Sequence, residues 1–187
     1  MKKVLYLLLL CSVTVLSISK VQAQEETTPE TSLFKVEDNA VIWQKVYSMN
    51  VTPKEYLTFI KLKGVLEDID TLQSTIIGKL KRFKLNTYGA PWATTPIYLK
   101  QNMFTSDVRI EIKEDRYRVT LSNIKVVDGV NNLTPNAPGY LVDFETMYFK
   151  AFSKGKTPRP SFFKIDDPII TKNFDSFFTY KKSSSDF

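Results

Sequence analysis

Three acidic residues in one short segment form the first candidate site for chemistry in this chain. Glu67, Asp68 and Asp70 carry carboxylate oxygens, the ligands that Ca²⁺ prefers. A twelve-residue calcium loop that began at Asp68 would need glycine at its sixth place and an acid at its twelfth. The sixth place holds no glycine and the twelfth holds Lys79. We therefore predict a solvated turn or strand edge here, and no metal site.

A basic run follows, with Lys79, Lys81, Arg82 and Lys84 separated by Leu80 and Phe83. Such a run could contact a polyanion. Successive side chains of a strand point to opposite faces, so a strand would divide these charges between two surfaces. The pattern favours a solvated strand, and we predict no nucleic-acid partner.

The segment from Tyr88 to Pro96 is the best candidate for recognition. It is rich in turn-forming residues, it is longer than most connections, and large amphipathic aromatic residues of this kind are enriched at interaction hot spots. The candidate recognition residues are Tyr88, Trp92 and Tyr98. The alternative is that Trp92 folds back over a sheet edge to complete the core, and we favour this alternative.

Composition argues against most catalytic mechanisms. The chain has no histidine and one cysteine, Cys11. The commonest general base, the commonest metal ligand and the Ser-His and Cys-His nucleophile pairs are therefore absent. Catalysis would have to use carboxylates, lysine, tyrosine or a Ser-Lys pair. We predict no catalytic residue and no cofactor.

The first 23 residues have the order of a secretory signal peptide. Two lysines precede an apolar run from Val4 to Val13, and Val21-Gln22-Ala23 provides a small-residue cleavage site after Ala23. An uncleaved membrane anchor would need about 20 apolar residues, and a lipoprotein would need a small residue where Leu10 precedes Cys11. Removal of residues 1–23 lowers the formal net charge from +6 to +3, because it removes three lysines and no acid. We expect a periplasmic or extracellular protein without a stable membrane anchor.

The rest of the chain suggests one domain. Residues 24–38 begin as a polar, acidic segment that we interpret as a flexible spacer. Residues 39–182 then form a single α+β domain, and residues 183–187 form a frayed tail.

Local patterns predict the elements of the first half. Alternation predicts a strand from Val41 to Val51. Thr52-Pro53-Lys54-Glu55 has the form of a capping box, so a helix should begin there and end at Gly64. Two further strands are predicted at about Val65 to Thr71 and Thr75 to Asn86.

The clearest pattern is a hairpin from Ser106 to Val127. A two-residue turn at Glu114-Asp115 places three apolar pairs on one face and Glu111 opposite Arg118 on the other. The apolar parity changes after Leu121, which predicts a bulge near Ser122-Asn123. The three apolar pairs are Ile112 with Tyr117, Ile110 with Val119, and Val108 with Leu121.

The last third is predicted to be helical. Asp143 could cap a helix that contains Phe144, Tyr148 and Phe152 and ends near Gly155. Asp166 or Asp167, before Pro168, should begin a second helix. The buried face of that helix would consist of Ile170, Phe174, Phe177 and Phe178.

Four segments resemble a secreted bacterial family of unknown function with a fold like that of the TATA-binding protein. The resemblance covers about residues 40–127 and implies a curved antiparallel sheet, ordered strand, helix, four strands and helices, with the helices packed on one face. It implies no functional residue and no DNA binding, because fold does not confer function. The segments are Val41-Ile42-Trp43-Gln44-Lys45-Val46, Ile76-Ile77-Gly78-Lys79-Leu80, Thr95-Pro96-Ile97-Tyr98-Leu99 and Arg116-Tyr117-Arg118-Val119-Thr120-Leu121.

These observations favour an exported, non-enzymatic module that binds a protein or a small ligand, or that serves as an envelope accessory. The contact would use the open face of the sheet or the loop from Tyr88 to Pro96. The alternative is a hydrolase of an envelope polymer that uses carboxylates or a Ser/Lys pair.

Overall fold

A computed structural model describes residues 32–38, 40–127, 140–150, 157–159 and 161–181. The predicted signal peptide, residues 24–31 of the spacer and the tail at 183–187 lie outside the described residues. None of the described helices is long and apolar enough to cross a membrane.

An open antiparallel sheet organises the described part of the chain. It contains seven strands in the order β1-β2-β6-β5-β4-β3, with β7 paired to β6, and a separate small ladder joins β8 to β9. The predicted α+β class with an antiparallel sheet is confirmed. The strands are β1 (Phe34–Glu37), β2 (Ala40–Ser48), β3 (Leu66–Leu72), β4 (Thr75–Lys84), β5 (Met103–Lys113), β6 (Arg116–Val127), β7 (Leu141–Asp143), β8 (Phe149–Lys150) and β9 (Thr157–Pro158).

The central hairpin of β5 and β6 has the predicted register. Ile110 lies opposite Val119, and Glu111 lies opposite Arg118. The pairing shifts between Thr105, which lies opposite Lys125, and Asp107, which lies opposite Ser122, and Asn123 takes a positive φ of 49°. This is the predicted bulge. It returns Ile124 and Val126 to the buried face after the alternation has slipped.

Helix α1 (Pro53–Lys63) begins and ends where the sequence predicts. The Thr52 hydroxyl accepts a hydrogen bond from the Glu55 amide, and the Glu55 carboxylate accepts one from the Thr52 amide. Gly64 ends the helix with φ of 64°, a left-handed conformation that glycine adopts without steric cost. Tyr56 and Ile60 form the buried face of α1.

The predicted spacer at 24–38 is wrong at its C-terminal end. Residues Phe34–Glu37 pair with β2 as an edge strand, and Phe34 is only 2% exposed. Its ring stacks on Phe144 and meets Phe162 edge to face. A single large aromatic residue thus attaches this polar segment to the core, because its burial offsets the entropy of ordering its neighbours.

The predicted helix from Asp143 to Gly155 is shorter in the structure. Helix α3 covers only Phe144–Tyr148, and β8 follows at Phe149–Lys150. Phe149 is buried, and β8 pairs with β9, so the backbone that would continue the helix forms a ladder instead. Phe152 and Gly155 lie outside the described residues.

Helix α4 (Asp167–Phe178) has the predicted aromatic face, with Phe174 and Phe178 fully buried. The helix begins at Asp167, as predicted, but Asp166 at its N-cap position makes no side-chain cap hydrogen bond. A π-helical turn at Phe162–Asp166 leads directly into the helix, and Asp166 has helical dihedral angles. The Asp167 carboxylate instead accepts hydrogen bonds from the Ser32 and Thr171 hydroxyls, each at 2.7 Å.

The helices α1 and α4 cover one face of the sheet, as predicted. Trp43 of β2 packs edge to face against Phe174, and Tyr117 of β6 lies 4.6 Å from Tyr56 between ring centroids. The opposite face is open, and Val46 of β2 is half exposed there. The structure therefore leaves two kinds of surface for recognition: this open face, and the loop before β5.

Candidate functional site

The loop that joins β4 to β5 is fixed at both ends. Its first part is bound to α4, because Asn173 accepts a hydrogen bond from the Asn86 amide at 2.7 Å and donates one to the Asn86 carbonyl at 3.1 Å. Its last part is closed by the buried Thr95, whose hydroxyl donates to the Pro91 carbonyl at 2.7 Å. Helix α2 (Ile97–Gln101) then leads into β5. These contacts fix the segment Asn86–Thr95, which we call the recognition loop, against the domain.

Trp92 lies at the surface of this loop and not in the core. Our favoured prediction, that Trp92 folds back over a sheet edge to complete the core, is therefore wrong. Its side chain is 81% exposed. The Lys100 ammonium group lies 3.6 Å from the ring centroid and donates a hydrogen bond to the Trp92 carbonyl at 3.0 Å. Leu85 and Leu99, which flank the loop in the sequence, are buried. Lys100 therefore braces an exposed indole ring.

Tyr88 is the second exposed aromatic residue of the loop, with 89% of its side chain accessible. The Asn86 side chain accepts a hydrogen bond from the Tyr88 amide at 2.9 Å, and Gly89 follows with φ of 84°. A residue with a Cβ atom would be strained at this φ. The exposed position of Tyr88 thus depends on the turn that the Asn86 side chain closes and on the positive φ of Gly89.

A cleft of about 300 Å³ lies between the recognition loop and the start of α4. One wall is the loop backbone with Tyr88 and Pro91, and the other wall comes from the π-helical turn and α4. Two of the lining residues are lysines and none is acidic. The full lining comprises Asn86, Thr87, Tyr88, Gly89, Ala90, Pro91, Thr94, Thr95, Lys164, Ile165, Pro168, Ile169 and Lys172.

Tyr98, the third candidate residue, belongs to a different environment. It is half-buried, its ring packs edge to face against Tyr148, and its hydroxyl donates to the Asp166 carboxylate at 3.1 Å. Burial raises the pKa of Asp166 to about 6, although the Tyr98 hydrogen bond and the nearby Arg159 lower it in part. Asp166 is only 2% exposed, so a polymer substrate would have no access to its carboxylate. The structure brings Tyr88 and Trp92 into one loop and leaves Tyr98 beneath the surface.

The other charged segments are spread over the sheet. Glu67 lies opposite Lys79, and Asp70 accepts a hydrogen bond from the Thr71 amide. Within the described ranges, no three His, Cys, Asp or Glu side chains come close enough to hold a metal ion. Lys79 also lies opposite Asp107 across β4 and β5, so the basic run contributes to a face of mixed charge.

The open face of the sheet is the second candidate surface. Arg118 and Glu111 form an ion pair at 2.6 Å beside the exposed Val46, and Lys113 and Arg116 complete a groove of about 220 Å³. A second groove, of about 430 Å³, surrounds Ile77 and Arg109. Both grooves have charged walls of both signs and few apolar side chains, whereas the cleft beside the recognition loop combines apolar walls with one sign of charge.

Sequence reasoning identified the loop but missed the second wall of the cleft. Lys172 belongs to the helix that we predicted with a buried face, and Lys164 lies just before the predicted start of that helix. Their spacing places them on one side of that segment, but nothing local indicates which other part of the chain faces them. One local signal was present in the sequence: Asp166 and Asp167 lie between the two lysines. The side chains of these acids accept hydrogen bonds from Tyr98 and Ser32 inside the domain.

Comparison with known proteins gives two distant structural similarities. The chain is similar to a solved TBP-like protein from Parabacteroides distasonis, with 13% identity and a TM-score of 0.45 over 77% of this chain and 94% of that one. It is also similar to a solved DUF4468 family protein from Bacteroides ovatus, with 8% identity and a TM-score of 0.41 over 79% of this chain and 83% of that one. No family profile and no curated protein matches the chain. The two descriptions agree with the resemblance noted in the sequence.

Proposed function

We propose that this protein is an exported binding module that recognises a small ligand or a protein through the recognition loop and the adjoining cleft. The observation that carries the proposal is the braced exposure of Trp92 beside a cleft that also presents Tyr88. Large aromatic side chains that are held at a surface supply contact area at a low cost in conformational entropy.

The anchoring of the loop supports this proposal. The side chains of Asn173 and Asn86 accept hydrogen bonds from backbone amides of the loop, and the Thr95 hydroxyl donates one to the Pro91 carbonyl. A loop that is fixed in this way loses less entropy on binding than one that must become ordered.

The composition of the chain supports binding over catalysis. Histidine is absent, and the carboxyl group with the raised pKa, that of Asp166, is buried beneath Tyr98. A hydrolase would need a carboxylate or a Ser/Lys pair that opens onto a surface. The cleft is lined by lysines without an accompanying serine or acid.

A capture experiment with matched variants tests the proposal. The wild-type protein, the double variant Y88A/W92A and the control L62A/L72A would be incubated with envelope and culture fractions of the producing organism. Leu62 and Leu72 are comparably exposed but lie on α1 and β3, away from the loop. Mass spectrometry should find species that the wild type and the control retain and that Y88A/W92A loses. Equal capture by all three proteins would refute the proposal.

Export is tested separately by the mass of the protein. Because we expect cleavage after Ala23, protein recovered from the periplasm or the medium should begin at Gln24. A full-length chain recovered in the membrane fraction would show that the leader is not removed.

A further inference from the structure

We propose that the cleft beside the recognition loop binds a small organic anion, with the negative group held by Lys164 and Lys172 and an apolar body packed against the rest of the lining. This inference rests on the proposed binding function and names its ligand class. The cleft volume of about 300 Å³ is at the lower end of the range for small-molecule sites, which suits a compact ligand and not a polymer.

The charge of the cleft comes from two lysines, Lys164 and Lys172. Neither Lys164 nor Lys172 forms an ion pair with a carboxylate of the described residues, and both are exposed. The two acids that lie between them in sequence, Asp166 and Asp167, are buried and accept hydrogen bonds from Tyr98 and Ser32. The two acidic side chains of this segment are therefore buried in the domain, whereas its two lysines line the cleft.

The remaining walls suit an apolar body. Pro91 of the loop, with Ile165, Pro168 and Ile169 of the second wall, presents rigid or branched apolar groups, and Tyr88 stands at the border with most of its ring exposed. Mostly apolar walls with a few charged groups are typical of small-molecule sites. The apolar walls would supply affinity, and the lysines would select ligands that carry negative charge.

Two dyes that differ by one charged group test the inference. 8-Anilinonaphthalene-1-sulfonate is an anion, and 1-anilinonaphthalene has the same ring system without the sulfonate. Binding would be followed by fluorescence and by shifts of the backbone amide signals of Tyr88, Gly89 and Ile169. We expect the wild type to bind the sulfonate at least about tenfold more tightly, and the preference should decrease as salt is added.

Matched lysine variants test whether Lys164 and Lys172 cause the preference for the anionic dye. K164Q/K172Q should lose most of the preference while its affinity for the neutral dye stays the same. K54Q/K61Q removes two exposed lysines from α1, which contributes no residue to the cleft lining, and should retain the preference. Equal loss in both double variants would overturn the inference, because net charge and not the cleft would then be responsible.

The failure of this inference can be distinguished from the failure of the proposed function. If both dyes shift the cleft signals with equal affinity, the anion preference is refuted and binding at the cleft stands. If neither dye shifts those signals, the small-anion site is refuted, and the capture experiment with Y88A/W92A alone decides the binding function.

Discussion

The hydroxyl of Tyr117 donates a hydrogen bond of 2.9 Å to the backbone carbonyl of Phe178. Tyr56 donates to the same carbonyl at 2.8 Å, and the Tyr180 amide donates to the Tyr117 hydroxyl at 2.9 Å. Burial raises the pKa of Tyr117 to about 12, so the hydroxyl keeps its proton at all ordinary pH values. Two tyrosines from α1 and β6 therefore secure the C-terminal end of α4.

Removal of these hydroxyls should destabilise the protein in a non-additive way. Tyr56→Phe alone should lower the free energy of unfolding by about 0.5–1.5 kcal/mol, because Tyr117 still satisfies the carbonyl. Tyr117→Phe alone should cost more, because it also removes the acceptor of the Tyr180 amide. The double variant should lose more than the sum, since a buried carbonyl is then left without either donor. Denaturant unfolding of the four proteins checks this, and strict additivity would contradict it.

Truncation of the two tryptophans should change the free energy of unfolding by very different amounts. Trp92→Ala should change the free energy of unfolding by less than about 1 kcal/mol, because the ring is exposed and loses mainly its contact with Lys100. Trp43→Ala should cost about 3–5 kcal/mol, since Trp43 is fully buried. Acrylamide should quench the fluorescence of Trp92 and leave that of Trp43 largely unaffected. A costly Trp92→Ala would remove the basis of the proposed recognition loop.

The hairpin register predicts a large contrast between neighbouring residues. Ile110→Ala should cost about 2–5 kcal/mol, because its side chain is fully buried opposite Val119. Glu111→Ala should cost no more than about 1 kcal/mol, since it removes a surface pair with Arg118. The reverse order in urea unfolding would mean that the register is displaced by one residue.

Asp166 should make the folded state relatively more stable in acid. Its pKa is raised from the ordinary 3.8 to about 6, so folding penalises the ionised form. The contribution to stability is present below the unfolded pKa and is lost as the pH rises through about 6. Asp166→Asn should remove up to about 3 kcal/mol of this pH dependence.

The measurement for Asp166 is the difference in the free energy of unfolding between wild type and Asp166→Asn from pH 4 to pH 7. The difference is needed because other acids act in the opposite direction. Burial favours a higher pKa for Asp175, but hydrogen bonds from Lys45 and Tyr47 prevail and lower it. A pH-independent difference would show that Asp166 titrates normally.

Local chemistry accounts for the parts of the fold that the sequence predicts well. The capping box at Thr52 and Glu55 involves residues three positions apart, and the turn at Glu114-Asp115 sets the register of its own hairpin. The face of α4 also follows from its helical spacing alone, with Ile170, Phe174 and Phe178 buried. In each case the residues that determine the structure lie close together in the chain.

The features that the sequence did not predict depend on distant partners. Phe34 is a core residue because its ring packs against Phe144 and Phe162. No pattern in the sequence near Phe34 indicates these contacts. Trp92 stays at the surface with Lys100 against its ring, whereas the composition of the loop fits an exposed and a buried position equally. The second wall of the cleft, with Lys164 and Lys172, faces a loop that is far away in sequence.

The contacts of α4 bear on the order in which the fold can close. Ser32 binds Asp167, Trp43 binds Thr171 and Tyr56 binds Phe178, across sequence separations of 135, 128 and 122 residues. A chain that emerges N-terminus first from a narrow channel can pair β5 with β6 early, but α4 is the last of the described elements to arrive. The part of the sheet that α4 covers, around Trp43, therefore stays exposed until Phe178 has passed through, and a factor that shields this part during emergence would act on the unfinished chain alone.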